Sequence, residues 1–414
     1  MTRSSTIFVY GDWKGLSGAT LMGQLHRSTV RGEEVLSFEY DRDWLKQSQP
    51  FLLDPRLQLV EGRQYADGAN PFGLFLDSAP DRWGRLLIRR RAALNSEEAS
   101  AVLFDSDYLL AVSDTCRMGA LRFRDGAEGA FLAEDTEHSV PPLQRLRELE
   151  QASRRFEVSD SDDPEHVEWL RMLIAPGTSL GGARPKCSVI DPDGQLWIAK
   201  FPSRADEFDV GAWEGLVYQM AKNAGLRIAE ARVERFSKAG TTFLVRRFDR
   251  EQEARIHFAS AMNLLGYQDG DGAKTGASYL DLVDLIERYG SNVNEDLEEL
   301  WRRIVFNVCV HNTDDHLRNH GFLLSDQGWT LSPAYDLNAQ PWSGGHALNI
   351  DENNNACDLE LVRRVGQYFR LSQKRQDSII TEVSDAVSAW ETCATKLRLK
   401  RSEIERMRTA FQMR

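Results

Sequence analysis

His311-Asn312-Thr313-Asp314-Asp315-His316-Leu317-Arg318-Asn319-His320 carries a polar side chain everywhere except Leu317. It follows directly on Leu297, Leu300, Trp301, Ile304, Val305 and Val308, whose spacing predicts a buried helix. A polar cluster at the end of such a helix is a site on a rigid base. Asp314 and Asn319 stand as D-x-x-x-x-N, whereas Asp315 has His320 five places on. A carboxylate and an amide at this spacing suit one proton-accepting group and one hard oxygen ligand for Mg²⁺. Downstream, 321–324 and 329–331 read as a hairpin closed by Ser325-Asp326-Gln327-Gly328. Ser332-Pro333-Ala334-Tyr335-Asp336-Leu337 then delivers a second acid, Asp336.

The D-x-x-x-x-N spacing is that of the protein-kinase catalytic loop, and Asp336 occupies the place of the kinase metal-binding acid. Other parts come upstream in kinase order. Thr178-Ser179-Leu180-Gly181-Gly182-Ala183 is a small-residue loop that lets backbone N–H groups approach phosphate oxygens, although it is neither a Walker A nor G-x-G-x-x-G. Lys200 ends the apolar strand 196–200 and is a candidate for the phosphates of a nucleotide. Glu214, early on a helix read over 211–224, is its natural salt-bridge partner.

Composition bounds the rest. At 414 residues, 42% apolar and 28% charged, the chain is an ordinary globular one, long enough for about two to four structural units. Its net charge of −12 disfavours autonomous binding to duplex DNA, which depends on phosphate neutralisation. The run Arg89-Arg90-Arg91 reads first as a solvated helix face. No apolar run approaches the length of a membrane span, and the N-terminal stretch lacks a secretory h-region. Five scattered cysteines without a CxxC pair point to a reduced, cytoplasmic protein without a thiolate zinc site. Three histidines at 311, 316 and 320 invite a zinc reading, but there is no H-E-x-x-H and the acid/amide pattern suits Mg²⁺ better. His316 reads as a residue that orients the loop, His257 as a satisfied structural residue, Asp249 as a turn-stabilising one, and Trp169, Trp301 and Trp390 as core.

The expected organisation is a small mixed α/β domain over 1–135, a strand-rich lobe over 136–250 and a helical lobe over 251–414. In the first domain, Ile7–Tyr10 and Ser37–Tyr40 read as strands and Leu86–Ala93 as a helix. Residues 125–165, with their glycines, prolines and acids, read as linker. The fold class is α+β: a bilobed, protein-kinase-like arrangement with an extra N-terminal domain.

The stretches SLGGARPK (179–186), WIAKFPS (197–203), RRFDR (246–250), FNVCVHNTDDHLRNHGFL (306–323) and LSPAYDLN (331–338) carry a family resemblance. The chain resembles the HipA-family serine/threonine kinases, toxins of HipA/HipB-type toxin–antitoxin modules, over nearly its whole length. The resemblance implies ATP and Mg²⁺ as cofactors, with Asp314 as catalytic base and Asn319 and Asp336 as metal ligands. It implies that Gly181, Gly182, Ala183, Arg184, Pro185 and Lys186 cover the phosphates, which Lys200 holds with Glu214 as its partner. Arg246, Arg247 and Phe248 would form the hinge beside adenine, and His316, Leu317, Arg318 and Asn319 would complete the nucleotide pocket. Arg246 departs from the acidic residue common at that hinge position. Ser179, or its neighbour Thr178, matches the loop residue that the family autophosphorylates to switch itself off. Implied partners are a HipB-like DNA-binding antitoxin, which would make most of the DNA contact, and a protein substrate; the family's targets include aminoacyl-tRNA synthetases. Two other classes fit parts of the pattern: a nucleotide-binding pseudokinase acting only as corepressor, and a small-molecule kinase.

Overall fold

The computed structural model describes residues 4–46, 53–66, 71–94, 102–134, 140–158, 164–174, 182–341 and 344–412. The chain divides into two compact units. The first comprises Met1–Arg204 with Asp249–Ala259 and Leu324–Asp326, and the second comprises Ala205–Phe248, Ser260–Leu323 and Gln327–Arg414.

The first unit starts with β1 (Ser4–Gly11), β2 (Thr20–Val30), β3 (Glu33–Tyr40) and β4 (Arg63–Tyr65). With β5 (Leu121–Arg124) they form an antiparallel sheet in the order β4-β3-β2-β1-β5. The sequence reading missed β2, which occupies the centre of this sheet. Gly23 is required there, because a Cβ would lie 2.2 Å from the Glu39 carbonyl oxygen on the neighbouring strand. α1 (Arg82–Leu94) buries Trp83, Leu87 and Ile88 and leaves Arg89 and Arg91 exposed. The expected linker contains α2 (Leu146–Phe156), which turns Leu146, Leu149, Ala152 and Phe156 inward. This corrects the composition-based reading: an apolar stripe at helical spacing outweighs polar flanks. α3 (Pro164–Ile174) packs against α2 and α1.

β6 (Lys186–Ile190) and β7 (Leu196–Lys200) are a hairpin in which Lys186 faces Lys200 and Ile190 faces Leu196. The turn Asp191-Pro192-Asp193-Gly194 closes it: Gly194 takes φ +80°, and the Asp191 carboxylate accepts from the backbone N–H of Gln195 and the Trp197 indole. A strap over 249–259 completes the unit. Asp249, fully buried, accepts from the Gly119 N–H at 2.9 Å and from the Arg250 guanidinium at 2.7 Å. Asp114 accepts from both Arg122 and Arg255. His257 stacks on Trp13, with ring centroids 5.1 Å apart.

The second unit opens with α4 (Val210–Asn223) and the antiparallel pair β8 (Ala231–Glu234) and β9 (Thr242–Arg246). α5 (Tyr279–Tyr289) is capped by Ser278, whose hydroxyl accepts from the Leu280 N–H. α6 (Val293–Cys309) is the central helix, and Leu297, Leu300, Trp301, Ile304 and Val305 are wholly buried on it. The hairpin β10 (Gly321–Ser325) and β11 (Gly328–Leu331) follows as expected. α7 (Gln373–Ser388), α8 (Trp390–Lys396) and α9 (Arg401–Met407) end the chain. Among the described residues no helix is long and apolar enough to cross a membrane.

Candidate active site

α6 stops at Cys309, and His311 adopts the left-handed conformation with φ +53°, which turns the chain back on itself. Asn312 then bonds twice to Asn307 of the helix: its N–H donates to the Asn307 carbonyl at 2.8 Å and its side-chain amide donates to Oδ1 at 3.1 Å. The two adjacent acids separate in role. Asp315 is buried at 3% exposure, and its Oδ2 accepts from Tyr279 Oη (2.7 Å), Asn307 Nδ2 (2.8 Å) and His320 Nε2 (2.8 Å). Burial alone would raise its carboxyl, but the His320 charge and the hydrogen bonds from His320 and Tyr279 hold it below the ordinary carboxylate value. With Asp315 fixed inward, Asp314 is left exposed on the loop.

Asn319 ends the short turn Leu317–Asn319, anchored by buried Leu317. Its Nδ2 donates to the Asp314 carbonyl at 3.1 Å, so the amide orientation is fixed by the acceptor it meets. The second acid comes from the chain after β11. Arg303 of α6 donates to the Ser332 carbonyl at 2.6 Å, Tyr218 of α4 donates to the Ala334 carbonyl at 3.1 Å, and Tyr335 donates to the Arg318 carbonyl at 2.5 Å. These bonds place Asp336, which takes φ +56°. A non-glycine residue in this region costs of order 1 kcal/mol and is held by its surroundings.

The electrostatics fit a cation. Although Asp314 is solvent-exposed as a residue, partial desolvation by the surrounding loop raises its carboxyl above its ordinary value; His316 opposes this, and the charges of Asp336 and Asp315 add to it. A divalent ion near Asp314 and Asp336 would relieve that repulsion, and Asn319 adds an amide oxygen of the hard type that Mg²⁺ prefers. Among the described residues no group of three or more His, Cys, Asp or Glu forms a metal cluster. A site of two acids and one amide completed by phosphate oxygens is compatible with that.

The structure thus brings together Asp314, His316, Asn319 and Asp336. Phe248 lies against Tyr335 with ring centroids 5.6 Å apart; Arg247 is buried, and Arg246 is exposed beside Glu230 at 3.6 Å. Glu214 is buried on α4. Lys200 belongs to the other unit, as the last residue of β7, and is half-buried. Thr178, Ser179 and Gly181 lie outside the described residues. Gly182 has φ +105° and Ala183 is exposed. Arg184 donates to the Phe201 carbonyl, and the Pro185 carbonyl accepts from the Phe201 N–H. Lys186 is only 2% exposed and pairs with Asp81 at 2.7 Å.

Sequence reasoning assigned loop orientation to His316. In the structure Asp315, with Tyr279, Asn307 and His320, fixes the loop through side chains, and the His316 main chain contributes by donating to the Asp314 carbonyl and accepting from the Asn319 N–H; among the described residues the buried His316 Nδ1 has no hydrogen-bond partner. The available signal was the Asp314-Asp315 pair, since a buried carboxylate requires partners.

The HipA N-terminal domain model matches residues 16–124, and the HipA-like C-terminal domain model matches 178–390. Y4mE of Sinorhizobium fredii, named as a kinase, is 30% identical over 182 residues, 38% of this chain and 41% of that protein. Y4dM of the same organism, also named as a kinase, is 27% identical over 157 residues, 35% of this chain and 37% of that one. A Haemophilus influenzae protein named as a kinase is 25% identical over 181 residues, 39% of this chain and 52% of its own length. The matches therefore span about two fifths to one half of these relatives. Among solved structures, the fold is similar to that determined as the Shewanella oneidensis HipA–HipB–operator DNA complex, with a TM-score of 0.67 and 17% identity over 98% of this chain and 95% of that one. With a C-terminal domain model covering more than half of its residues and an N-terminal one ahead of it, the chain belongs to the HipA family.

Proposed function

We propose that this chain is a Mg-ATP-dependent serine/threonine protein kinase that arrests growth as the toxin of a cytoplasmic toxin–antitoxin pair. The observation that carries the reading is the cluster of Asp314 and Asn319, on a loop fixed by buried Asp315, with Asp336 from the segment after β11. Asp314 accepts the proton of the substrate hydroxyl as its oxygen bonds to the γ-phosphorus and the bond from that phosphorus to the β,γ-bridging oxygen breaks, so that ADP leaves. Asn319 and Asp336 would hold Mg²⁺, which supplies charge neutralisation on the phosphates when bound. Most of the acceleration comes from positioning and electrostatics. Phe248 and its flanking arginines line the adenine side. Lys200 holds the phosphates, with Glu214 as its partner; the two residues belong to different compact units, and their pairing is part of the proposal.

Ser179 or Thr178 is the proposed self-phosphorylation residue. A phosphate there adds close to two negative charges on the loop over the nucleotide phosphates and shuts the site. Membership of the HipA family supports a HipB-like antitoxin as partner, with DNA reached mainly through it. The substrate is a protein hydroxyl, and an aminoacyl-tRNA synthetase is the first candidate to assay.

Intact-mass spectrometry of wild type, Asp314→Ala and Ser179→Ala, each with ATP and Mg²⁺, tests the reading. A gain of about 80 Da per phosphate in wild type, absent from Asp314→Ala, is expected. Its absence from Ser179→Ala would locate the switch. A wild type that neither gains mass nor phosphorylates any protein of a cell lysate would refute the kinase and leave a nucleotide-binding corepressor.

A further inference from the structure

In the second unit, α4 carries Glu214, and the residue before it is held from the far end of the chain. Trp213 is 2% exposed. Its ring stacks on Phe411 at 6.5 Å and 25°, and Phe411 in turn stacks on Trp390 at 4.5 Å and 15°. Trp390 also lies 6.4 Å from Trp213, which closes a three-ring cluster. Glu403 of α9 adds the polar half: its Oε2 accepts from the Trp213 indole N–H at 3.1 Å and from the backbone N–H of Asp209, the N-cap of α4, at 3.4 Å. Arg406, one turn on, pairs with Glu207 at 2.6 Å and lies over the Phe208 ring.

The opposite side of α4 is equally fixed. Asp209 accepts from the Thr241 N–H and hydroxyl, and a Cβ on Gly211 would lie 2.0 Å from the Thr241 carbonyl oxygen. The first turn of α4 therefore has one fixed boundary, the strand beginning at Thr242, and one built from the last part of the chain. Residues 213 and 214 are neighbours on a helix with about 3.6 residues per turn, so no rotation of α4 can move one without the other.

We propose that Trp390–Phe411 is a positioning clamp on α4: Trp390, Glu403 and Phe411 grip Trp213 and thereby set where Glu214 stands. The proposal rests on the kinase reading, in which Glu214 partners the phosphate-holding lysine. Trp213, Glu403 and Phe411 are positioning residues that act through Glu214 and touch no substrate. A segment that holds this helix is also a place where a bound partner could raise or lower activity without reaching the nucleotide.

The test uses the full chain and two readouts. Glu403→Ala and Phe411→Ala are compared with wild type by hydrogen exchange of the α4 amides and by phosphate transfer from ATP with Mg²⁺. Faster exchange in α4 is expected, with transfer lowered roughly three- to thirtyfold. Glu403→Gln, whose amide oxygen still accepts from Trp213, should restore both. In a Glu214→Gln background the Phe411→Ala change should lower transfer no further, because its effect passes through residue 214. Independent, multiplying losses in that double variant would overturn the proposal, as would unchanged exchange in α4 or unchanged transfer with α4 loosened. Loosened α4 together with a wild type that transfers no phosphate would instead refute the kinase reading on which the clamp rests.

Discussion

Lys186 and Asp81 form an ion pair at 2.7 Å whose side chains are 2% and 4% exposed. Removing the ammonium by Lys186→Met leaves a carboxylate in a dry site, an imbalance that typically costs about 3–5 kcal/mol at neutral pH. Burial already pushes the Asp81 carboxyl upward, with Lys186 opposing, so the variant takes up a proton on Asp81 instead of keeping the charge. The sign follows: a carboxyl whose folded-state value is raised is least costly at low pH. Between about pH 4 and the raised value, stability of the variant falls by about 1.4 kcal/mol per pH unit as pH increases. Asp81 Oδ1 also accepts from the Gly84 N–H at 2.7 Å at the start of α1. Asp81→Asn keeps that acceptor while removing the charge, so the double variant should regain at least about 2 kcal/mol of the loss. Urea unfolding at pH 5, 6, 7 and 8, followed by circular dichroism and fluorescence and fitted with a transition for each unit, reads all of this. A Lys186→Met protein within 1 kcal/mol of wild type at pH 7 would refute the argument, and so would a double variant as unstable as the single one. Nucleotide affinity provides a second arm. A stable double variant that binds ATP normally makes Lys186 a structural residue, whereas one that has lost ATP returns it to the phosphates.

Gly211→Ala should destabilise the second unit by about 2–3 kcal/mol, because the new methyl meets a backbone oxygen that a strand holds in place; thermal melting measures it. Asp315→Ala removes the shared acceptor of Tyr279, Asn307 and His320; a loss of about 3 kcal/mol and abolished phosphate transfer are expected, read by urea unfolding and by radiolabel. Burial lowers His257 to about 3 and His346 to about 4, both from an ordinary 6.5. A depressed histidine supports the fold above its unfolded value and withdraws that support as pH falls, so each should remove about 2 kcal/mol by pH 5, and His257→Phe should flatten the acid slope of its unit.

The site was legible where its logic is short in range. Asp314 and Asn319 are bound to each other by one turn of chain, and the apolar stripe of α6 announces the platform beneath them. Asp336 was found because a hairpin with a clear turn precedes it. What escaped depends on distant partners. β2 mixes Gln24, His26, Arg27 and Ser28 among its apolar residues and becomes a central strand only because β1 and β3 pair on both sides. α2 was obscured by reading 125–165 as one composition, although Leu146, Leu149 and Phe156 carry the helical spacing. The pairing of Lys186 spans 105 residues, beyond any local pattern. Trp213 lies in the helix read over 211–224, and nothing near it in the sequence indicates that its partner Glu403 lies 190 residues downstream.

The strap over 249–259 has a consequence for how the polypeptide is made. The Gly119 N–H finds its carboxylate only at Asp249, 130 residues later, and Asp114 finds one of its two guanidinium partners only at Arg255. At about 5–20 residues per second, a ribosome needs roughly 6–26 s to synthesise the chain between Gly119 and Asp249. During that interval the nascent first unit carries an unsatisfied donor that the finished protein buries. The first unit therefore cannot complete these bonds until residues 249–259 have been made. Synthesis itself thus delays completion of the first unit until the strap over 249–259 exists, and a ribosome stalled before residue 249 would leave a fragment suited to proteolysis.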